Sequence, residues 1–196
     1  MKQITCQRVS YEDGIWRSLP VEPLVDVVTG AGPRVATTVQ ACRDAEALYI
    51  RFECEDDHVV SDFTKRDEPL YEQDVVEVFL DEEGTGRRYL ELEVSPHNVV
   101  FDAVIKNEDG RIQAYTEWDA AGMETNVDVQ GEKRVYVIKL PFVHFAAVPE
   151  AGTAWRVNFY RIDESREGKR EFQAWSPTGA VNYHLPEHFG TLLFEG

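Results

Sequence analysis

Apolar and polar residues alternate with a period of two along most of this chain, and the 3.6-residue period of an amphipathic helix is nearly absent. In Ala47–Glu55, Leu48, Ile50, Phe52 and Cys54 fall on one side, and Tyr49, Arg51 and Glu53 on the other. Val75–Asp81 repeats the pattern, with Val76, Val78 and Leu80 opposite Val75, Glu77 and Phe79. So does the run YLELEV, where Leu90, Leu92 and Val94 oppose Tyr89, Glu91 and Glu93. Further strands are expected over 35–41, 99–105, 126–129, 134–140, 155–160, 171–175 and 191–194. Polar breaks containing glycine separate them: EEGTGR, NEDGR, VQGEK and REGKR. One short helix at most is expected, over 142–147 behind Pro141. About ten strands with this spacing predict an all-β, antiparallel two-sheet β-sandwich of the immunoglobulin or jelly-roll kind. Two longer irregular stretches, 58–73 and 176–188, interrupt the pattern. With no repeat, low-complexity tract or Pro/Ser linker, the chain reads as one domain over 1–196.

Charge narrows the partners. The 196 residues carry 36 acidic against 20 basic side chains, a formal net charge of -16. That field repels a phosphate backbone and an anionic bilayer, so nucleic acid and membrane are not expected partners, while neutral ligands and divalent cations remain open. Most of the excess carboxylate is expected on a solvated surface. Cys6, Cys42 and Cys54 are odd in number and lack CxxC spacing, which argues against a disulfide framework or a structural zinc site. The first residues, MKQITCQRVSYEDG, lack the apolar stretch of a secretory signal. The expectation is a cytoplasmic protein as written, or an extracytoplasmic one if a leader has been removed.

Two segments carry candidate chemistry. In the first, Tyr71 stands in a loop at the entrance of the strand bearing Glu77. In the second, Trp175, Asn182, Tyr183 and His184 sit on or beside the long loop before the final strand. Loop aromatics offer flat apolar faces to the C–H bonds of a sugar ring, and nearby carboxylates and amides take its hydroxyls. Trp16, Trp118 and Trp155 read as core; Trp175 is open to either role. Arg156, Arg161 and Asp163 read as a buried polar brace at least as readily as a ligand contact.

At these segments the sequence resembles carbohydrate-binding module family 9, a DOMON-related β-sandwich family. The resemblance runs from Asp13-Gly-Ile-Trp16 through Ala47-Leu-Tyr-Ile-Arg-Phe52, with Asp56 and Asp57 just after. It is closest at Tyr71-Glu-Gln-Asp-Val-Val-Glu-Val-Phe-Leu-Asp81, and ends in Trp175-Ser-Pro and Pro186-Glu-His-Phe-Gly190. It implies non-catalytic binding of a mono- or oligosaccharide, with two aromatics clamping a terminal glucose or xylose unit of a plant-type glucan or xylan, in association with polysaccharide degradation. Carried over, the first clamp falls on Tyr71, the acidic hydroxyl ligand on Glu77, and the second clamp near Tyr183 or His184 in place of the usual Trp. The amide positions fall near Asn158, Tyr160 and Asn182. The family's Arg falls at about Glu91, a reversal of charge that alters the hydroxyl pattern accepted. The resemblance also implies a possible structural calcium. Acids are dense at Glu53, Glu55, Asp56 and Asp57 and at Asp81, Glu82 and Glu83, but without EF-hand spacing they read as charged surface and leave the metal ligands unassigned.

Three other readings compete. Glu77 and Glu91 on neighbouring strands can be drawn as a glycosidase pair. A haem-binding electron-transfer domain of the same architecture needs an axial ligand, for which Met1 and Met123 are the only methionines. A family member that has lost its ligand and mediates protein contacts fits the departures at Glu91 and at the second clamp.

Overall fold

The structure, a computed structural model, describes residues 2–196; Met1 lies outside them. Fourteen strands carry the fold among these residues. The first seven are β1 (Gln3–Arg8), β2 (Glu22–Pro23), β3 (Val25–Asp26), β4 (Thr37–Arg43), β5 (Ala47–Glu55), β6 (Val75–Asp81) and β7 (Arg88–Val94). The rest are β8 (Val100–Glu108), β9 (Arg111–Tyr115), β10 (Glu124–Gln130), β11 (Lys133–Pro141), β12 (Ala154–Glu164), β13 (Arg170–Ala174) and β14 (Gly190–Phe194). Among the described residues, helical structure is confined to four 3-10 turns, and the helix expected behind Pro141 is one of them, Phe142–His144.

The strands form two open sheets. The first runs β9-β8-β7-β6-β12, and the far side of β12 is shared end to end, with β14 along Ala154 to Val157 and β13 along Tyr160 to Glu164. The second runs β10-β11-β5-β4. All these pairings are antiparallel. The exception is β1, which was not among the expected strands although Ile4 and Cys6 alternate with polar neighbours. Its Gln3–Cys6 stretch pairs in parallel with β14, and Gln7 and Arg8 then pair in parallel with β4. One strand thus serves both sheets and ties them at a corner. The largely exposed edge strand β9 and the two-residue β2 and β3 were not expected either.

The alternation places side chains as expected between the sheets. Leu48, Ile50, Phe52 and Cys54 meet Val76, Val78, Leu80, Leu90, Leu92 and Val94 in one core that extends from Ile4 to Phe194. Each such side chain contributes roughly 1.5–3 kcal/mol when fully buried. Trp175 lies in this core, its ring 5.7 Å from that of Phe159.

The opposite face of the first sheet is buried as well. Phe79, Tyr89, Phe101, Ile105, Tyr160 and Ile162 form a second apolar layer with Leu70, Tyr183 and Phe189. The two irregular stretches, folded back across the sheet, supply this cover. The segment before β6 is pinned by Asp74, which accepts from the Val60 amide at 2.7 Å and the Glu164 amide at 2.8 Å. It ends in the 3-10 turn Leu70–Glu72, which buries Leu70 and raises Tyr71. The segment before β14 is held by Asn158, whose side chain both donates to and accepts from the Ser176 backbone. Arg156 closes its far end by donating to the Gly190 carbonyl at 3.1 Å and to the Phe189 carbonyl.

Candidate functional site

Between the two covering segments the first sheet is left open, forming a cavity of about 490 Å³. Tyr71 stands on one side, with 48% of its surface exposed and its ring edge-on to Phe101 at 6.5 Å. Val181, Asn182, Tyr183 and His184 form the other side, Phe79 and Phe101 line the apolar floor, and Glu77 and Glu91 its polar part. A larger depression of about 700 Å³ near the β6–β7 turn includes Arg87, Arg88, Lys106 and Arg156 in its lining and has no aromatic wall. Only the former joins a stacking ring to buried hydrogen-bonding groups.

The polar floor follows from strand register. Glu77 on β6 pairs across the ladder with Glu93 on β7, and Glu91 follows two residues along on the same face. Their carboxyl oxygens gather within 4.8 Å of one another. Burial leaves Glu77 1%, Glu91 6% and Glu93 0% exposed. Low polarity around a carboxyl disfavours its charged form. Burial first, and then the Glu91 charge, pushes Glu77 well above the usual carboxylate range, against the pull of Arg170. Burial raises Glu91 to about 7. Glu93 is raised well above its ordinary value by burial and then by Glu77 and Glu91. Burial lowers His184 to about 4, so its ring is neutral at pH 7. Its Nδ1 lies 2.8 Å from the Tyr89 hydroxyl and its Nε2 4.0 Å from Glu91, which makes a neutral contact rather than an ion pair.

Of the residues singled out from sequence, Tyr71, Glu77, Glu91, Asn182, Tyr183 and His184 line this cavity. Tyr183 does so as part of its wall. It is 9% exposed, stacks on Tyr160 at 4.0 Å and donates its hydroxyl to the Arg161 carbonyl at 3.1 Å. Val181, Asn182 and the His184 imidazole complete that part of the lining. Asn158, Tyr160 and Trp175 do not reach the cavity. Asn158 Nδ2 donates to the Tyr160 hydroxyl and the Ser176 carbonyl, and Tyr160 donates to the Tyr183 carbonyl at 3.0 Å. These groups spend their hydrogen bonds holding the wall from behind, while Trp175 faces the sandwich core and donates to Glu22 at 3.3 Å. The expectation of ligand contact at these three positions gives way to support.

Arg170 was missed. It reaches the cavity from β13, donates to the Tyr71 carbonyl at 2.6 Å and lies over the Phe172 ring at 5.1 Å. In sequence it is one of several charges in a turn, and only the β12–β13 register aims it. A cation thus serves this cavity although the family's Arg position holds Glu91. Phe79 and Glu93 share their faces with Glu77 and Glu91 in the alternation, a signal that was present; what put them at the cavity was the pairing of β6 with β7.

The other expectations resolve locally. Of the three residues read as a brace, Arg161 and Asp163 form a buried pair at 2.5 Å, while Arg156 is engaged elsewhere, with the Gly190 and Phe189 carbonyls. Of the acids considered for calcium, Glu53 is engaged by Arg51 and Lys133, Asp56 by Arg134, Asp57 by Arg34, Glu55 by the Ala36 amide, Glu82 by the Ala146 amide, and Asp81 by the amides of Glu83, Gly84 and Gly86. Met123 packs against the sandwich core. The three cysteines are buried and free, and burial pushes Cys54 up to about 11 and Cys42 to about 12, which keeps both thiols inert.

A β-sandwich with one face roofed by two loops, and a single ring standing over a polar floor between them, has the form of a ligand-binding module. Residues 10–196 match the family described as carbohydrate family 9 binding domain-like, and the chain belongs to that family. An extracellular protein of Arthroderma benhamiae is 25% identical over 181 residues, covering 83% of this chain and 80% of that one. A family 9 carbohydrate-binding module from Caldicellulosiruptor kristjanssonii, solved with cellotriose, superposes with a TM-score of 0.76 at 18% identity, over 100% of this chain and 94% of that one. A second structure of a family 9 module from the same organism, in complex with glucose, gives 0.73 at 18% identity, over 100% and 96%. At such identity the likeness is one of fold.

Proposed function

We propose that this protein binds carbohydrate without catalysis, holding a terminal sugar unit of a glucan- or xylan-type oligosaccharide in the cavity beside Tyr71. The observation that carries this reading is the half-exposed Tyr71 ring above buried Glu77 and Glu91, with Asn182 and His184 across from it. A sugar ring has an apolar face for the phenol and hydroxyls for the polar groups. Family membership and the cellotriose and glucose complexes of similar fold support it. Hydrolysis fits the geometry less well. Glycosidase carboxylates stand on opposite sides of the scissile bond, whereas Glu77, Glu91 and Glu93 share one face of two adjacent strands. Work on polysaccharide implies a place outside the cytoplasm, as the description of the Arthroderma relative also does.

Calorimetric titration with glucose, xylose, cellobiose and xylobiose tests the reading. Tyr71→Ala removes a ring worth ~1–2 kcal/mol in such contacts, so the affinity should fall about 5- to 30-fold. Because Tyr71 is half exposed, the variant should keep its fold. Unchanged affinity for a sugar that the wild type binds would refute the site.

A further inference from the structure

The geometry points to a divalent-cation site in the cavity floor, held by the carboxylates of Glu77, Glu91 and Glu93, with hydroxyl oxygens of the ligand completing the coordination. The second half of this inference rests on the sugar-binding reading; the first does not.

Two observations carry it. The first is the gathering of three buried carboxyls on paired strands, with oxygens within 4.8 Å of one another. Calcium holds oxygens at 2.3–2.6 Å, so ligands on opposite sides of one ion stand up to about 5 Å apart. Magnesium, at 2.0–2.1 Å, needs a tighter set. The second observation is independent of spacing. Glu77 Oε1 and both oxygens of Glu93 are buried without a hydrogen-bond partner among the described residues. A protein seldom leaves such acceptors unpaired, because each loses its hydration without compensation.

Charge agrees. Three carboxylates and one guanidinium, Arg170, gather in this region. Ionised, the set carries two uncompensated negative charges, which one divalent ion balances. The contrast with the other acidic triad is informative. Asp67, Asp102 and Asp119 also converge, but Arg66 sits among them, 2.5 Å from Asp102 and 2.9 Å from Asp119. That triad has its cation built in.

Glu77 and Glu91 line the cavity, and Glu93 is paired with Glu77 across the ladder. An ion at this depth presents its remaining positions to whatever lies against Tyr71. Vicinal hydroxyls of a sugar are suited to fill them, since calcium takes six to eight oxygens.

The test uses the full chain, stripped with EDTA and titrated with calcium chloride. One saturable site per chain is expected. Glu93→Gln and Glu77→Gln should each weaken it at least tenfold, while Asp119→Asn leaves it intact. Thermal melts guard against misfolding: the Gln variants should melt no lower than the stripped wild type and lose the calcium-dependent rise in Tm. Sugar affinity should fall at least tenfold in EDTA. Absence of a saturable site, or full binding by both Gln variants, overturns the inference and leaves Tyr71-dependent sugar binding standing. Sugar affinity indifferent to EDTA overturns the shared coordination. Binding of glucosamine in EDTA, abolished by Glu93→Gln, also overturns it and makes an ammonium the natural cation.

Discussion

Gly190 opens the last strand with its backbone laid across the six-membered ring of Trp175. A methyl added there would stand 2.5 Å from Trp175 Cη2, closer still to Cζ3, and 2.9 Å from the Lys2 carbonyl oxygen. None of these neighbours can yield easily. The indole is fully buried against Phe159 and tied to Glu22, and the carbonyl accepts the Thr191 amide at 2.9 Å. Overpacking of a filled core costs roughly 1–3 kcal/mol, and rigid neighbours on two sides put Gly190→Ala near the top, about 3 kcal/mol. For a chain of this size that lowers Tm by about 6–12 °C. Trp175→Phe deletes the atoms that meet the methyl, so a double-mutant cycle in urea denaturation should show a favourable coupling of at least ~1 kcal/mol. A Gly190→Ala protein that melts within about 2 °C of wild type, or strictly additive losses, would refute this account of the loop's anchor. The consequence reaches the cavity, because the segment ending at Gly190 carries Asn182 and His184.

Burial raises Asp74 from 3.8 to about 6, against two amide hydrogen bonds that favour its anion. A carboxyl whose pKa is higher folded than unfolded stabilises the protein below pH 3.8 and loses that contribution as pH rises to about 6. Relative to Asp74→Asn, the wild type should therefore lose up to ~1.4 kcal/mol per pH unit across that window; parallel stability curves would contradict it. Asp81, 1% exposed, accepts from the amides of Glu83, Gly84 and Gly86 at 3.1, 2.9 and 2.7 Å. Asp81→Ala should cost ~2–3 kcal/mol, since bonds to a charged acceptor are the stronger ones, and leave ligand affinity unaltered; a denaturation midpoint equal to wild type would show the turn needs no such anchor.

Alternation made much of this molecule legible. Side assignment along β5, β6, β7 and β12 follows from a local rule, that successive side chains point to opposite faces. It correctly separated Val76, Val78 and Leu80 from Glu77 and Phe79. The placing of Tyr71 and His184 at one cavity was anticipated through resemblance rather than through periodicity. What failed was depth. Tyr183 and Trp175 look alike in sequence, two aromatics beside one loop, yet one walls the cavity and the other fills the sandwich.

Local pattern thus determined the sandwich, its core faces and the two aromatic loops, because period two is written residue by residue. Tertiary structure alone decided that β1 bridges both sheets, that the outer face of the first sheet is roofed, and that Arg170 reaches under Tyr71. It also brought Glu77, Glu91 and Glu93 together, with Glu77 Oε1 and both Glu93 oxygens left without a hydrogen-bond partner among the described residues. Each of these depends on the register between strands distant in sequence, or on where a loop folds back. Neither quantity is encoded by the residues of any single segment.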